Sequence, residues 1–380
     1  MSRGGQESLI GVKRAAIDLL TQINDGRRYG KKKTILAAGV VWSPPRIGIR
    51  TDGISMSSYS RIALVGDIGG NHARFAISDV DELTITHYAS FRRDLFASLE
   101  DAIRAYLNSV PQRPEMAGIA VASPLAGDRF AMTDGGWSFT HDDVLAATGA
   151  RNLRLLNNFE AVALSLPHLT GHDLEKVCGG EPAEGAAKVA LGPGTALGVA
   201  GLVPSDAGWV AVRGEGGHAT FAATGEDELR LARDMAKGGA GHVAIEDMVS
   251  GPGLCRLYAV LTEGGGSARH LATPEIVQAA QSGEDPVAEA ALEHFARWLG
   301  RFAGDMALVY GARGGVYLGG GIPPHVVGSL KAETFASAFR GKGRLEPYLA
   351  PIPVYVIKAA EAGLKGAAVA VAAANPMRGR

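Results

Sequence analysis

The sequence has little cysteine, no long apolar run and almost no net charge, and each shortage excludes a class of protein. Only Cys178 and Cys255 occur in 380 residues, which excludes a disulfide framework or a cysteine-rich zinc module and fits a reducing cytoplasm. The most apolar runs, such as residues 189–203, are interrupted by glycine, so no membrane span is predicted. The formal charge of -1 provides no field that would attract nucleic acid or an anionic membrane. We therefore expect a soluble cytoplasmic protein with a small-molecule ligand.

Glycine, by contrast, is abundant, and the chain is long enough for two domains. The 52 glycines fall in short motifs rather than in a low-complexity tract, which indicates loops where backbone approaches a ligand. Single hydrophobic cores stop growing at roughly 250 to 300 residues. A chain of 380 residues therefore predicts two lobes with a cleft between them.

Residues 1–55 differ from the rest of the sequence in charge. Basic residues outnumber acidic ones there, and three lysines stand together at 31–33. A targeting segment is one interpretation, but no long apolar stretch is followed by a small-residue cleavage site. We therefore predict a poorly ordered basic extension, with Met56 as a candidate for the natural start of the polypeptide.

From residue 61 onward, strand and helix patterns alternate, which predicts an α/β fold. Short apolar runs predict strands, and apolar residues at steps of three or four predict helices. The predicted strands are 62–65, 73–77, 116–121, 153–156, 316–318 and two within 189–203; the predicted helices are 95–107, a long one opening at Pro286, and 358–374. The predicted domains are a small α/β domain, 56–168 plus 359–380, and a large α/β domain, 169–358.

Two glycine-rich turns each join a predicted strand to its hairpin partner. The first, Gly66-Asp67-Ile68-Gly69-Gly70, is ambiguous by itself, because backbone geometry alone often requires glycine at such a turn. Its chemical interpretation is that glycine amides approach phosphate oxygens, Asp67 holds Mg²⁺ through water, and Arg74 adds positive charge. The second turn, residues 192–198, adds the hydroxyl of Thr195. Two such turns in one chain favour phosphate binding.

A third glycine-rich segment, Gly214-Glu215-Gly216-Gly217-His218, places a carboxylate and an imidazole close together. A metal site is one alternative, but one Glu and one His without further ligands nearby make a poor metal set. Contact with sugar hydroxyls is the favoured interpretation. Glu246 precedes a helix stop at Gly251 and, taken alone, is compatible with a solvated helix charge.

In their order along the chain, these motifs resemble those of the bacterial glucokinase family, within the hexokinase, actin and Hsp70 ATPase superfamily. The resemblance extends from about Arg61 to the C-terminus. Its seven segments are 64–74, 132–137, 155–161, 192–200, 214–221, 246–254 and 314–323. The cysteine-rich zinc motif of the related family of repressors and kinases is absent, which places the chain in the glucokinase branch.

The resemblance implies a two-lobed actin-like ATPase (ribonuclease H-like) fold that closes around its sugar. It implies ATP-dependent phosphorylation of glucose or a related hexose, with Mg²⁺, in a homodimer. Glucose contacts are implied for Asn157, Glu215, His218 and Glu246. Nucleotide contacts are assigned to Gly66, Asp67, Gly69, Gly70, Asn71, Arg74, Gly192, Gly194, Thr195 and Gly320, with Asp67 also on Mg²⁺ through water.

Four positions depart from the family pattern. Asn158 stands where the family has the aspartate that takes the proton from the sugar 6-hydroxyl, and an amide cannot take it. Asn71 and His72 replace threonine and asparagine, and Asp134 replaces the asparagine of the sugar-side loop. We hypothesise that Asp134 partly substitutes for the missing base.

Two functions follow from these departures. One is a glucokinase whose activity is reduced by Asn158. The alternative is a catalytically impaired paralogue that binds sugar or nucleotide and regulates a partner.

Overall fold

The computed structural model describes residues 61–132, 135–236, 241–263 and 270–375. They form two compact units: unit 1 runs up to Asn158 and resumes at Gly363, and unit 2 is Phe159–Ala362. The predicted basic extension, 1–55, and the predicted site residue Asp134 lie outside the described residues. The predicted domain boundaries, at 168/169 and 358/359, remain a proposal beside these units.

Unit 1 is built on a mixed five-stranded sheet. The five strands of this sheet are β1 (Ile62–Ile68), β2 (His72–Asp79), β3 (Ile85–Arg92), β4 (Met116–Val121) and β7 (Asn152–Asn157). Unit 1 also contains β5 (Arg129–Ala131) and β6 (Ser138–Thr140). The sheet order is β3-β2-β1-β4-β7, in which β1, β4 and β7 run parallel. The strands β2 and β3 continue β1 as antiparallel hairpins, and β5 pairs with β6 separately.

Unit 2 is built on a second mixed sheet, of six strands. Its strands are β8 (Leu174–Cys178), β9 (Lys188–Pro193), β10 (Leu197–Ser205), β11 (Gly208–Gly214), β12 (Val316–Leu318) and β13 (Val354–Ile357). The order is β11-β10-β9-β12-β13-β8, with β9, β12 and β13 parallel. Each unit therefore opens its sheet with a hairpin and continues it with parallel strands.

Helices account for most of the remaining regular structure. In chain order they are α1 (Leu99–Ser109), α2 (His141–Thr148), α3 (Asn158–Ser165), α4 (Glu226–Met235), α5 (Ile245–Met248), α6 (Gly251–Glu263), α7 (Thr273–Ser282), α8 (Pro286–Tyr310), α9 (Val327–Leu330), α10 (Glu333–Arg340), α11 (Glu346–Leu349) and α12 (Ala362–Ala374). In the ranges that the structure describes, no helix is both long and apolar enough to cross a membrane.

The longest helix, α8, shows how local sequence sets these elements. Asp285 caps it, because its carboxylate accepts hydrogen bonds from Val287 N and Ala288 N. The helix ends at Gly311, which has a φ of 59°. Its apolar stripe, which includes Phe295 and Leu299, is buried in the unit 2 core. Each such side chain contributes about 1.5 to 3 kcal/mol by leaving water.

Two predicted helices begin later than the sequence pattern indicated. The helix predicted over 95–107 begins at Leu99, because the Ser98 hydroxyl accepts a hydrogen bond from Asp101 N and caps it. Leu95 instead ends a separate 3-10 turn. The helix predicted over 358–374 begins at Ala362, because β13 occupies the chain up to Ile357 and a turn follows.

Candidate active site

In unit 1, the first glycine-rich turn and the asparagine pair lie at the same edge of the sheet. Ile68 pairs with Val121, and Val121 pairs with Asn157, so these three strand ends stand in one row. With strands spaced about 4.8 Å apart, Ile68 and Asn157 are roughly 10 Å apart across β4. The carboxyl edge of parallel strands is where open α/β sheets bind their ligands.

Asp67 stands directly opposite Arg74 in the β1–β2 hairpin, and the two form an ion pair at 3.2 Å. Burial raises the pKa of Asp67, and the Arg74 guanidinium opposes that shift. Gly363, the second residue of α12, makes room for the carboxylate, because a Cβ there would lie 2.8 Å from Asp67 Cγ. Unit 1 thus holds a half-buried carboxylate beside the turn.

Three successive carbonyls at the first turn, those of Gly69, Gly70 and Asn71, are held by one residue, Arg93. Its Nη1 donates to Gly69 O at 3.1 Å and to Gly70 O at 2.6 Å, and its backbone N donates to Asn71 O at 3.1 Å. Charge-assisted bonds of this kind are stronger than bonds between neutral groups. These three carbonyls are therefore directed at Arg93.

Arg93 also fixes the loop that connects β5 to β6. Its Nη2 donates to Gly135 O at 3.1 Å, and its guanidinium lies 4.9 Å from the centre of the Trp137 ring. Trp137 O in turn accepts a hydrogen bond from Met132 N at 3.1 Å. The first phosphate turn and the predicted sugar-side loop are therefore tied to the same buried side chain.

The residues of unit 1 that were predicted to contact nucleotide differ in their packing and exposure. Gly66 is buried in β1, where a Cβ would lie 2.8 Å from Ile119, so close packing accounts for this glycine. Gly69 is open to substitution sterically, since a Cβ there would meet only His72 O at 3.9 Å. Asn71 and His72 are exposed at the turn. Burial, followed by the charge of Arg74, lowers the pKa of His72.

Asn157 and Asn158 occupy the junction between β7 and α3, and both are half-buried. Asn157 Nδ2 donates to Ser123 O at 3.4 Å, which orients its amide beside the end of β4. Ser123 is itself buried, and its hydroxyl donates to Ala131 O at 2.7 Å in β5. Asn158, at the predicted position of the catalytic base, is the first residue of α3.

In unit 2, the second glycine-rich turn is held by backbone hydrogen bonds. Gly194 N donates to Ala196 O at 2.8 Å, and Gly194 O accepts from Gly251 N at 2.7 Å, at the start of α6. Thr195, at the tip, is exposed. Gly320 has a φ of 84°, and a Cβ there would lie 2.7 Å from Pro193 O, so glycine is required where this loop contacts the turn.

Gly192, which was predicted to contact nucleotide, and Gly198 have a packing explanation as well. A Cβ at either position would lie 1.8 Å from an atom of the Phe159 ring. Phe159 is buried against this hairpin within unit 2. The two glycines therefore make a slot for an aromatic ring.

The predicted sugar residues of unit 2 converge on the second turn. Glu246 Oε2 accepts a hydrogen bond from Leu197 N at 3.3 Å, and its Oε1 lies 3.8 Å from His218 Nδ1. Glu246 is therefore not a solvated helix charge, since its side chain is 24% exposed and bound to backbone. Gly217, which precedes His218, packs closely on the second turn, because a Cβ there would lie 2.1 Å from Leu197 O. Glu215 is exposed and starts the turn that carries His218.

Comparison with known proteins identifies this arrangement. A family model described as Glucokinase matches residues 64–374. The chain is 42% identical to a glucokinase of Chromobacterium violaceum over 311 residues, 81% of this chain and 89% of the relative. The chain belongs to the glucokinase family.

Solved structures agree with this membership. The crystal structure of a glucokinase from an Antarctic psychrotroph is 34% identical, with a TM-score of 0.71, over 82% of this chain and 98% of that one. A ROK family glucokinase from Streptomyces griseus, in complex with glucose and AMPPNP, has a TM-score of 0.60 over 82% and 99%; at 20% identity it shows the fold alone. The predicted family and the predicted actin-like ATPase fold are confirmed, and the chain is a hexose kinase.

Sequence reasoning missed Arg93 in this glucokinase family member. The sequence gives little indication of its role, because Arg93 is the second of two adjacent arginines at the end of β3 and follows no glycine motif. Only the structure distinguishes buried Arg93 from its neighbour Arg92, whose side chain is 54% exposed and paired with Asp94.

The residues present are compatible with Mg²⁺. No group of three or more His, Cys, Asp or Glu side chains in the described ranges is placed to hold a metal. Mg²⁺ does not need one, since it keeps several waters and is bound by one or two carboxylates plus substrate phosphates. Asp67, in the first turn, would supply one such carboxylate.

Proposed function

We propose that this protein transfers the γ-phosphoryl group of ATP to glucose, giving glucose 6-phosphate and ADP, and that Asn158 makes the transfer slow. The observation that carries the proposal is the glucokinase match over residues 64–374, which includes both phosphate turns and every predicted sugar residue. The Streptomyces griseus neighbour, with glucose and AMPPNP bound, supports the choice of substrates.

Hexose hydroxyls are assigned to Asn157 in unit 1 and to Glu215, His218 and Glu246 in unit 2. Carboxylate, amide and imidazole groups suit alternating hydroxyl donors and acceptors. Glu246 is pre-positioned for this role, because the bond from Leu197 N fixes one of its oxygens and leaves the other toward His218. A fixed acceptor loses little side-chain entropy when the sugar binds.

The phosphates are assigned to the amides of the two turns and to Arg74 and Thr195. The structural support is that Arg93 binds the carbonyls of Gly69 and Gly70, which would otherwise repel an anion. Because the Gly69 amide donates to His72 O within the turn, the amides of Gly70 and Asn71 are the ones that we assign to phosphate in unit 1. The same proposal places Mg²⁺ on Asp67 through water, where the ion would neutralise phosphate charge. The glycines Gly66 and Gly192 then contribute by packing that shapes each turn.

The slow step is removal of the proton from the glucose 6-hydroxyl. As this oxygen bonds to the γ-phosphorus and ADP departs, its proton must leave, and the amide of Asn158 cannot accept it. General-base assistance is worth about 10²- to 10⁴-fold in rate. The proton is then taken by water or, by our hypothesis, by Asp134. Asp134→Asn should lower kcat if the hypothesis is right and leave it unchanged if it is wrong.

We also propose that the enzyme is a cytoplasmic homodimer, from the family resemblance alone. Sedimentation of the full chain tests whether it is a dimer, since a single species of twice the chain mass is expected. A monomer at all concentrations would contradict it.

The proposed activity is tested by prolonged incubation of the full chain with glucose, ATP and Mg²⁺. Glucose 6-phosphate, detected through NADP reduction by its dehydrogenase, is expected only when ATP is present. Mannose and glucosamine run in parallel decide the preferred hexose. If glucose binds and no hexose is phosphorylated, the regulatory alternative suggested by Asn158 replaces the proposal, although family membership favours the kinase.

A further inference from the structure

A cavity of about 490 Å³ lies on one face of the unit 2 sheet, away from the residues assigned above. Its wall combines two tyrosines, Tyr317 of β12 and Tyr355 of β13, with two lysines, Lys188 and Lys176. Leucines and prolines of the segment that follows α3, such as Leu166, complete it. Cavities of this size are typical of small-molecule sites.

The two tyrosines form a flat aromatic wall. Their ring centres are 5.4 Å apart and their planes are inclined by 25°, so the rings stack. Tyr317 is buried and its hydroxyl donates to Gly314 O at 3.1 Å, which fixes the ring. A second flat ring can extend such a stack and gain about 0.5 to 1.5 kcal/mol beyond its buried area.

Lys188 supplies a charge that the protein does not neutralise. Its Nζ donates to Gly314 O at 3.2 Å and to the Tyr317 hydroxyl at 3.4 Å, both neutral acceptors. The ammonium also lies 5.6 Å from the Tyr317 ring centre and 5.7 Å from that of Trp209. In the described part of the chain no carboxylate lies within ion-pair distance of it, and burial lowers its pKa. An anion entering the cavity would relieve that cost.

Lys176, at the same cavity, differs from Lys188. It is exposed and already forms an ion pair with Glu181 at 2.8 Å. It therefore adds less attraction for an anion than the half-buried Lys188 does.

We propose that this cavity is a second binding site, for a small molecule that carries both a flat aromatic ring and an anionic group. A bare anion would leave the apolar wall hydrated, and a neutral ring would leave Lys188 without a counter-charge. The ring stacks on Tyr355, and the carboxylate, sulfonate or phosphate pairs with Lys188. The inference does not depend on the proposed glucokinase activity.

The cavity is remote from the second phosphate turn. Lys188 is the first residue of β9 and Pro193 is the last, so they are separated by roughly 17 Å of extended strand. A ligand at Lys188 therefore leaves the Gly194 turn free, and the two sites are expected to be filled together.

Phenyl phosphate is the probe for this site, with phenol and inorganic phosphate as its two halves. Ligand-observed NMR titrations use the full chain with saturating ADP, so that the nucleotide site is occupied. Phenyl phosphate is expected to bind saturably, and each half at least 10-fold more weakly. Failure to bind, or displacement by ADP, would overturn the proposal.

Variants locate the site. Lys188→Met is expected to weaken phenyl phosphate at least 10-fold and to leave phenol unchanged, whereas Lys331→Met, an exposed lysine paired with Glu175, changes neither. Tyr355→Leu, which removes the stacking ring, should weaken the binding of both phenol and phenyl phosphate. This variant still tests the site if Lys188→Met folds poorly. Wild-type affinity for phenyl phosphate in both cavity variants would contradict the proposal.

Discussion

The two units hold equivalent glycine turns by different means. In unit 1 the carbonyls of Gly69 and Gly70 are bound by the buried guanidinium of Arg93, and the Asp67–Arg74 ion pair stands at the turn end of the hairpin. In unit 2 the Gly194 turn is closed by backbone bonds, and Glu246 binds the amide of Leu197. The first turn thus has its carbonyls held by a cationic side chain, whereas the second has an amide held by an anionic one.

The departures from the family pattern are also distributed unequally between the two units. Among the described residues, Asn71, His72 and Asn158 all lie in unit 1. The proposed sugar residues Glu215, His218 and Glu246, and the turn at Gly194, lie in unit 2, and there the resemblance noted in the sequence implies no departure. We therefore expect sugar recognition to be retained where the sequence matches the family pattern, and proton removal to be altered where it does not.

The largest effect is expected from Asn158→Asp in unit 1. Restoring a carboxylate supplies the missing base, so kcat should rise about 10²- to 10⁴-fold, or roughly 3 to 5 kcal/mol of barrier. Glucose affinity should change little, because an amide oxygen accepts a hydroxyl hydrogen bond nearly as well. Steady-state kinetics and calorimetry measure the two quantities. Asn158→Ala is the control, and an unchanged kcat in Asn158→Asp would mean that the base is misplaced.

Arg93→Met tests whether the first turn depends on its side chain. Loss of the charged donor frees the carbonyls of Gly69 and Gly70, so kcat/KM for ATP should fall roughly 30- to 100-fold. Glucose binding should weaken as well, because Arg93 also holds the predicted sugar-side loop through Gly135 O. The exposed neighbour supplies the control, Arg92→Met, with circular dichroism as a check on folding. Equal kinetics in the two variants would show that the first turn does not depend on Arg93.

Glu246→Gln tests the retained side of the comparison, in unit 2. The neutral amide keeps the shape but weakens its bonds to Leu197 N and to a sugar hydroxyl, so the Kd for glucose should rise roughly 10- to 100-fold. ADP affinity should stay within about twofold. Asp247→Asn, at the next residue, serves as a control for the loss of a nearby negative charge. Wild-type glucose affinity in Glu246→Gln would remove Glu246 from the sugar site.

The smallest effect concerns stability of unit 2 rather than catalysis. Burial opposes ionisation of Glu228, but hydrogen bonds from Arg301, Thr224 and Trp298 outweigh it and lower the pKa to about 2. This stabilisation is fully present above the unfolded value near 4.5 and is lost as pH falls from 4.5 toward 2.

Glu228→Gln should therefore lower the free energy of unfolding at pH 7 by about 1 to 2 kcal/mol, with a smaller difference in acid. Denaturant titrations at neutral and acid pH measure both. A difference from wild type that does not shrink on acidification would contradict the assigned cause.

Much of the fold could be predicted because its signals are local. Residues 116–121 and 316–318 are short apolar runs, and both are strands with those bounds. The α8 pattern, from its Asp-Pro start to its glycine end, is equally local. Helix starts were less predictable, since the Ser98 cap competes with an apolar spacing that extends back to Leu95.

The site was predictable as a set of motifs but not as a set of contacts. The glycines of the two turns were assigned to phosphate approach, yet Gly66 accommodates Ile119, and Gly192 accommodates Phe159, which is distant in sequence. Arg93 and Gly363 act on the first turn and on Asp67 through tertiary packing that no spacing encodes. Long-range contacts of this kind could not be predicted from the sequence.

The most direct test of the central claim compares glucose binding with turnover in a single preparation of the wild-type protein. Calorimetry gives the affinity for glucose, and the coupled assay gives kcat with saturating glucose, ATP and Mg²⁺. Because enzymes commonly turn over at about 1 to 10³ s⁻¹, loss of the base predicts saturable glucose binding with a kcat below roughly 1 s⁻¹. Turnover at tens per second, or binding with none at all, would contradict a glucokinase slowed by Asn158.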